Sequence, residues 1–211
     1  MTSRRDDVWA MVHAERQLLA EDLDPLPGAA WDTPSLCTGW SVHDVLAHLL
    51  ESAMTHRRGF VWSMVRSRGD FDRANQHGIE RFRRPDPQQT LAAFRDARLS
   101  TRTPPAALAT RLVEAYVHGE DIRRPLGIAE DYPERGLHAA LDLQLRTATS
   151  FGGGKERAEG LQLVDSGSRT TWGSGDMVTG NAVDLLLAVS GRAVDPDLLS
   201  GPGAGTLLDR A

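Results

Sequence analysis

The sequence predicts a mainly α-helical protein in which a helical bundle is followed by a small α+β segment. Apolar residues recur every three or four positions through most of residues 1–150, which is the spacing of amphipathic helices. After the glycine-rich stretch at residues 151–154, the chain changes to short strand-like runs separated by turn residues. We therefore expect a helical, metal-binding domain over residues 1–150 and a small α+β domain over residues 155–211.

The composition limits the function classes. The chain has 211 residues, of which 40% are hydrophobic, and a net charge of −5. No basic block indicates a nucleic-acid-binding surface, and no segment approaches the roughly 20 apolar residues of a membrane span. The N-terminus lacks the apolar run of a signal peptide, and the single cysteine, Cys37, excludes an intrachain disulfide. We expect a cytoplasmic monomer or homodimer that binds small molecules, without nucleic-acid or membrane partners.

Three helices are predicted before the centre of the chain. The first covers residues 6–24, and a loop follows over residues 29–40. Ser41 is the expected N-cap of the second helix, with Asp44 in the position of a capping box. The third helix covers residues 86–99. The predicted core face of the second helix consists of Val42, Val45, Leu46, Leu49, Leu50 and Ala53.

The stretch at residues 67–87 is polar and rich in arginine, and is expected to be a solvated loop with short helical pieces. An alternative is a basic rim for an anionic substrate. A central helix should begin near residues 104–105, two prolines, and end before Pro125, because a proline disfavours helical backbone in the residue before it. A fifth helix is expected over residues 133–149.

The C-terminal segment mixes strand and helix signals. Residues 161–164 and 169–172 are expected to be two strands joined by a hairpin-like turn. Residues 179–190 form an apolar helix that ends at Gly191, and residues 195–208 contain two further short apolar pieces. A segment this small is marginally stable alone, so we expect it to pack on the bundle.

A polar stripe interrupts the otherwise apolar central helix. It consists of Arg111, Glu114, His118 and Asp121. Glu114 and His118 are four residues apart, so their side chains stand one above the other. Buried charges require partners. One interpretation is an internal network, in which Arg111 pairs with Glu114 while His118 bonds to Asp121 or Glu114. The other is a metal site with Glu114 and His118 as two ligands.

The second helix offers a third ligand. His48 lies at the margin of the apolar face, as either a hydrogen-bonded core residue or a metal ligand. His43, near the start of the helix, is expected to be solvated, and His56 is expected on the apolar side, two turns beyond His48. His48, Glu114 and His118 together form a known catalytic zinc set with a fourth position for water or substrate. The same set suits iron(II), so the spacing leaves the metal open.

Two motifs carry a family resemblance. They are WSVHDVLAHL at residues 40–49 and EAYVHGEDIR at residues 114–123. They resemble the mycothiol-dependent maleylpyruvate isomerase family of the DinB-like superfamily. The tail resembles that family's C-terminal domain through Trp172, GNAVDLLL at residues 180–187 and SGR at residues 190–192.

The resemblance implies a DinB-like four-helix bundle with a divalent metal. The metal is zinc in most members, with nickel or iron as alternatives, and the matching ligands are His48, Glu114 and His118. It also implies mycothiol, a thiol of actinobacteria, as co-substrate. A metal-bound thiol is deprotonated and nucleophilic. Its addition to a small electrophilic substrate would give either S-transfer or cis–trans isomerisation. Arg192 matches the family's functional arginine, where it would hold a substrate carboxylate; otherwise it is a surface arginine.

Other interpretations remain open. The chain is alternatively a non-catalytic sensor or carrier that binds a metal or ligand in the bundle, or a metal-free protein whose polar stripe is structural. Cys37 is either a reactive thiol near the site or simply a packed residue. His13 and His138 are expected not to bind the metal. If the centre is catalytic, its open coordination position should face a cleft between the bundle and the C-terminal segment.

Overall fold

The structure, a computed structural model, describes residues 4–56, 59, 62, 65–67 and 70–211. The chain is mainly α-helical and carries a small sheet near its C-terminus, which confirms the predicted fold class. It divides into two compact units, Met1–Glu130 and Asp131–Ala211. The division falls before the fifth predicted helix rather than at residues 151–154, where the sequence pattern changes from helical spacing to short strand-like runs. None of the described helices has both the length and the apolar character that crossing a membrane requires.

The first unit is built from helices. Its described helices are α1 (Arg4–Leu23), α2 (Val42–Met54), α3 (Phe71–Phe82), α4 (Pro87–Ala97) and α5 (Thr110–Leu126), with a 3-10 turn at Gly28–Asp32. The predicted helices at residues 6–24, 41 onward and 86–99 are confirmed as α1, α2 and α4, with shifts of a few residues at their ends.

Local capping explains where α2 and α4 begin. The backbone N–H of Asp44 donates to Ser41 Oγ at 3.2 Å, and the N–H of Ser41 donates to Asp44 Oδ2 at 3.0 Å. This is the capping box predicted from the sequence. Asp86 caps α4 by accepting the N–H of Gln88, and Pro87 occupies the first turn, where its missing N–H has no helical partner.

One hydrophobic core joins α1, α2, α4 and α5. The predicted core face of α2 is confirmed, because all six of its side chains are buried. The core comprises Leu19, Ala20, Leu23, Trp31, Val42, Val45, Leu46, Leu49, Leu50, Ala53, Leu91, Phe94, Ala97 and Ile122. Burial of these apolar side chains is the main force that holds the helices together.

The bounds predicted for the central helix were wrong at both ends. Helix α5 begins at Thr110, after a turn that follows the two prolines, and it continues through Pro125 to Leu126. Gly127 ends it in the left-handed conformation, with φ of 69°. Pro125 has no N–H to offer the carbonyl of Asp121 four residues earlier. The N–H of Leu36 donates to that carbonyl instead, at 3.1 Å.

The polar stretch at residues 67–87 is more regular than predicted. It contains the helix α3, with Asp70 as N-cap accepting the N–H of Arg73 at 3.0 Å. Ala74 and Ile79 are buried on the face of α3 that packs against α2. A helix forms although few of its residues are apolar, because those few side chains pack against α2. Residues 68–69 lie outside the described part of the chain.

The second unit combines helices with a three-stranded sheet. Its elements are α6 (Glu134–Gln144), β1 (Leu161–Asp165), β2 (Thr171–Gly173), β3 (Asp176–Gly180), α7 (Ala182–Val189) and α8 (Ala204–Arg210), with 3-10 turns at Thr149–Phe151 and Pro196–Leu198. Helix α6 is shorter than the predicted helix over residues 133–149.

The sheet has the strand order β2-β1-β3. The predicted hairpin is confirmed: β1 and β2 are antiparallel, and Leu163 lies opposite Trp172. The third strand, β3, was not predicted; it runs parallel to β1, with Val178 opposite Leu163. Because Thr179 belongs to β3, α7 starts later than the sequence suggested. Gly191 follows α7 with a φ of 78°, as expected of a glycine that ends a helix.

Candidate metal centre

Two histidines meet where α2 packs against α5. The rings of His48 and His118 have their centroids 4.9 Å apart and are nearly perpendicular, at 80°. The ring of Trp40 lies 5.3 Å from that of His48. The two imidazoles predicted to share a site are therefore neighbours in the fold, although they come from different helices.

His48 is held as a neutral imidazole. Burial, and then the neighbouring His118, lower the pKa of His48 to about 3. Its Nδ1 atom has no hydrogen-bond partner among the residues that the structure describes. A buried polar atom without a partner is unusual and points to a missing ligand or water. Neutral imidazole is also the form of histidine that binds metals.

His118 is oriented by a buried carboxylate. Its Nδ1 lies 2.8 Å from Oδ2 of Asp121, one turn farther along α5, and the Asp121 side chain is fully buried. A carboxylate partner places the imidazole proton on Nδ1 and leaves the lone pair on Nε2. The same carboxylate–histidine arrangement supports metal-binding histidines in many proteins.

Glu114 is an ionised carboxylate with two protein partners. Its Oε2 lies 2.8 Å from Nη2 of Arg111, and its Oε1 accepts the hydroxyl of Ser52. Arg111 also donates to Ser52 Oγ at 2.6 Å, which closes the group. Burial alone raises the pKa of Glu114, but Arg111, His48 and the Ser52 hydrogen bond outweigh it, so the pKa lies below its ordinary value. The contacts predicted for an internal network, Arg111 with Glu114 and His118 with Asp121, are confirmed.

Cys37 joins the same neighbourhood from the loop before α2. Its Sγ donates to Asp121 Oδ2 at 3.0 Å and lies 3.8 Å from His118 Nδ1. Cys37, His118 and Asp121 offer ligand atoms that all lie within 4.8 Å of one another. Within the described part of the chain, the predicted set of His48, Glu114 and His118 does not meet this criterion. In this conformation the Glu114 carboxylate is engaged by Arg111 and Ser52.

Sequence reasoning missed the grouping of Cys37 with Asp121. The spacing of His118 and Asp121 on one helix was visible, and it did indicate their hydrogen bond. The position of Cys37 was not predictable in the same way, because it depends on the hydrogen bond from Leu36 to the carbonyl of Asp121.

Two other histidines of this region lie elsewhere than predicted. His43 is not solvated: only 1% of it is exposed, its Nε2 lies 2.8 Å from Thr90 Oγ1, and its ring packs edge-on against Trp31. The start of α2 is covered by α4 and by the 3-10 turn, which the sequence pattern did not reveal. His56 is exposed rather than apolar-facing, because α2 ends at Met54.

The remaining predicted positions have partners of other kinds. His13 lies 3.4 Å from the carbonyl of Ser100 and stacks on Trp9. In the second unit, His138 lies 3.1 Å from Oδ2 of Asp165.

Arg192 is half-buried in the second unit. Its Nη1 donates to the carbonyl of Ser190 at 3.1 Å. The catalytic role of Arg192 stays a prediction.

Comparison with known proteins identifies one part of the chain. Residues 12–98 match the family model described as "Mycothiol maleylpyruvate isomerase N-terminal domain". These residues are similar to that domain. The matched residues include α2 with His48 and the loop with Cys37, and the resemblance predicted from the sequence is confirmed.

Solved structures extend the likeness of fold beyond this domain. Crystal structures of a mycothiol-dependent maleylpyruvate isomerase, and of a variant with one histidine changed to alanine, are both similar to the chain. Each is 18% identical, with 97% of both chains covered and a TM-score of 0.68. Residues 12–98 and the segment after them therefore share the fold of that enzyme. No curated protein showed significant sequence similarity to the chain.

Proposed function

We propose that this chain is an enzyme that uses a divalent metal, zinc by preference, and a low-molecular-weight thiol such as mycothiol. His48, Glu114 and His118 are the proposed ligands. The observation that carries the proposal is the His48–His118 pair: two neighbouring imidazoles, one kept neutral by burial and one oriented by a carboxylate. A neutral imidazole and an imidazole oriented by a carboxylate are both suited to binding a metal cation.

The proposed ligands are of the residue types that bind catalytic zinc. Two imidazoles and a carboxylate leave a fourth position for a small molecule. Glu114 is already ionised, and it would hold a metal by exchanging its contacts with Ser52 and Arg111. Asp121 holds the Nδ1 proton of His118, so that Nε2 stays available. When bound, the metal lowers the pKa of a coordinated thiol and so favours the thiolate.

The proposed reaction is S-transfer to, or cis–trans isomerisation of, a small electrophilic substrate. In isomerisation the thiolate adds to an activated double bond, rotation occurs about the resulting single bond, and the thiolate leaves again. In transfer the thiolate adds to the double bond, the electron pair of that bond takes a proton from solvent, and the thioether leaves as the product. Support for thiol chemistry comes from the family domain at residues 12–98 and from the similarity in fold to a mycothiol-dependent maleylpyruvate isomerase. Arg192 is proposed to bind a carboxylate of the substrate.

A second candidate is a polar cluster without catalysis. It is favoured by the contacts of Glu114 with Arg111 and Ser52, which satisfy this carboxylate without any metal. A non-catalytic sensor or carrier would keep the metal and lack thiol transfer. A purely structural cluster would lack both.

The deciding experiment measures metal and thiol transfer together. Elemental analysis of the purified chain should find about one divalent metal per chain, and mycothiol should react with a maleyl or epoxide compound in its presence. His48→Ala should lose thiol transfer and the metal of the centre that His48 shares with Glu114 and His118. His56→Ala is the matched control, because His56 is an exposed histidine just beyond the same helix and should keep both. Metal without thiol transfer would indicate a carrier, and thiol transfer that survives His48→Ala would refute the proposal.

The role of Arg192 needs a separate comparison. Arg192→Ala should raise KM for anionic electrophiles several-fold and leave the metal content unchanged. Arg146→Ala is the control in the same unit, since Arg146 is largely exposed and pairs with Asp142. Equal KM values for these two variants would remove Arg192 from the site.

A further inference from the structure

The loop that carries Cys37 is fastened to α5. Because Pro125 lacks an N–H, the carbonyl of Asp121 is left without its helical donor, and the N–H of Leu36 takes this place at 3.1 Å. Asp121 therefore holds the loop twice: its backbone carbonyl accepts the N–H of Leu36, and its carboxylate accepts the thiol of Cys37.

Further hydrogen bonds hold the cysteine itself. The N–H of Cys37 donates to Ser35 Oγ at 3.1 Å, and the hydroxyl of Ser35 donates to the carbonyl of Trp40 at 2.8 Å. The N–H of Trp40 donates back to the carbonyl of Cys37 at 3.0 Å. The Cys37 backbone is therefore fixed on both sides, and its sulfur is aimed at Asp121 and His118 before any ligand arrives. Prior fixing of ligands lowers the entropy cost of binding a cation.

Three ligand atoms of different chemistry converge at this point. They are Sγ of Cys37, Nδ1 of His118 and Oδ2 of Asp121, all within 4.8 Å of one another. Their separations are 2.8, 3.0 and 3.8 Å. A metal with bonds of about 2.0–2.3 Å to such ligands needs them slightly farther apart on average, and a shift of a few tenths of an ångström in each side chain is sufficient.

We propose that Cys37, His118 and Asp121 form a second metal site that takes a thiophilic divalent cation such as Zn²⁺ or Cd²⁺. Sulfur selects the softer cations, and a thiolate, an imidazole and a carboxylate are all zinc ligands. On binding, the S–H bond of Cys37 breaks, its proton passes to solvent, and a sulfur–metal bond forms without change of oxidation state. The site needs no catalysis and does not depend on the proposed activity.

The second site and the proposed catalytic centre compete for His118. A neutral imidazole has one nitrogen with a lone pair and one with a proton. The centre with His48 and Glu114 uses Nε2 of His118 and keeps the proton on Nδ1, where Asp121 accepts it. The site with Cys37 uses Nδ1 and moves that proton to Nε2. The two sites therefore exclude one another, and excess thiophilic cation withdraws a ligand from the centre.

The single cysteine makes a sharp test. Cys37 is the only cysteine of the chain, so any thiolate-to-metal absorption of the protein comes from it. The full chain is treated with a chelator, kept in a phosphine reductant that contains no thiol, and titrated with Co²⁺ and with Cd²⁺. We expect a near-ultraviolet thiolate-to-metal band that saturates at about one cation per chain. Absence of the band in the wild-type chain would overturn the proposal, and this measurement does not depend on the folding of any variant.

Variants then assign the site. Cys37→Ser should remove the band, whereas His48→Ala should keep it, because His48 belongs only to the other centre. Loss of the band in His48→Ala, with the fold intact by circular dichroism, would show one shared site and refute a second one. The two proposals fail separately: a missing thiolate band leaves thiol transfer untouched, and missing thiol transfer leaves the band.

Discussion

The imidazole rings of His48 and His118 lie edge to face, 4.9 Å apart, on two helices that are distant in sequence. Burial, and then the presence of His118, lower the pKa of His48. The metal-free protein thus keeps the buried imidazole of His48 neutral, beside the ionised Glu114. A cation placed among these groups would relieve the unfavourable burial of that carboxylate.

Metal should stabilise the fold in a ligand-dependent way. If Zn²⁺ binds only the folded chain, a concentration 100 times the Kd should raise the free energy of unfolding by about 2.7 kcal/mol and increase Tm. His118→Ala should lose this response while keeping its helical content, and His56→Ala should keep it. Calorimetry with and without Zn²⁺ measures the effect. Unfolding of His118→Ala even without metal would instead indicate a structural role for the stripe.

Arg111 should behave as a substitute for a metal. Arg111→Met leaves the partly buried Glu114 without its charged partner, so the metal-free variant should lose up to about 3–5 kcal/mol of stability. Because a metal restores a positive charge beside Glu114, Zn²⁺ should stabilise this variant more than it stabilises the wild-type chain. Urea unfolding with and without Zn²⁺ tests the difference. A Zn²⁺ response no larger than that of the wild-type chain would argue against Glu114 as a ligand.

Stability of the metal-free protein should depend on pH through His48. The folded pKa is about 3 and the reference value is 6.5, so between these values the unfolded chain binds a proton that the folded chain does not. The contribution of neutral His48 to the free energy of unfolding is therefore fully present above pH 6.5. It is lost as the pH falls toward 3, by up to about 1.4 kcal/mol per pH unit. Burial also lowers the pKa of His13 and His43 and raises that of Glu15 to about 8, so the test must compare variants.

The comparison uses His48→Phe, which keeps an aromatic ring and cannot titrate. Urea unfolding from pH 6.5 down to pH 4.5 should give a shallower loss of stability for His48→Phe than for the wild-type chain, and His56→Ala should match the wild type. The lower limit keeps clear of Glu114, whose lowered pKa makes its own contribution disappear below its reference value of 4.5. Identical slopes in all three proteins would mean that His48 is not the neutral, buried group described here.

Arg123 should be a structural residue of the first unit. It is fully buried on α5, 2.5 Å from Glu15 and 2.7 Å from Asp22, both on α1. Arg123→Met leaves these carboxyl groups without that partner and should cost about 3–5 kcal/mol in urea unfolding. Arg146→Met is the control, since its pair with Asp142 is exposed and should contribute no more than about 0.5 kcal/mol. Similar losses in both would contradict this view of the buried pair.

Local features of the fold could be predicted from the sequence. The capping box of Ser41 and Asp44, the buried face of α2 and the hairpin of β1 and β2 are confirmed. Each depends on residues a few positions apart, so the spacing of residue types was enough. The contacts of Arg111 with Glu114 and of His118 with Asp121 belong to the same class, since each pair lies one turn apart on one helix.

Tertiary structure decided what depends on distant residues. Thr90 and Trp31 bury His43, and α2 completes the core face of α3. Pro125 ends no helix here, because the carbonyl that it leaves free finds a donor in Leu36. That bond places Cys37 beside Asp121 and His118. The sequence by itself determined which side chains share a helix face. The packing of α2, α5 and the loop between Asp32 and Ser41 determined which of these side chains come into contact. Such contacts join groups that are far apart in the sequence, so no local spacing of residues could predict them.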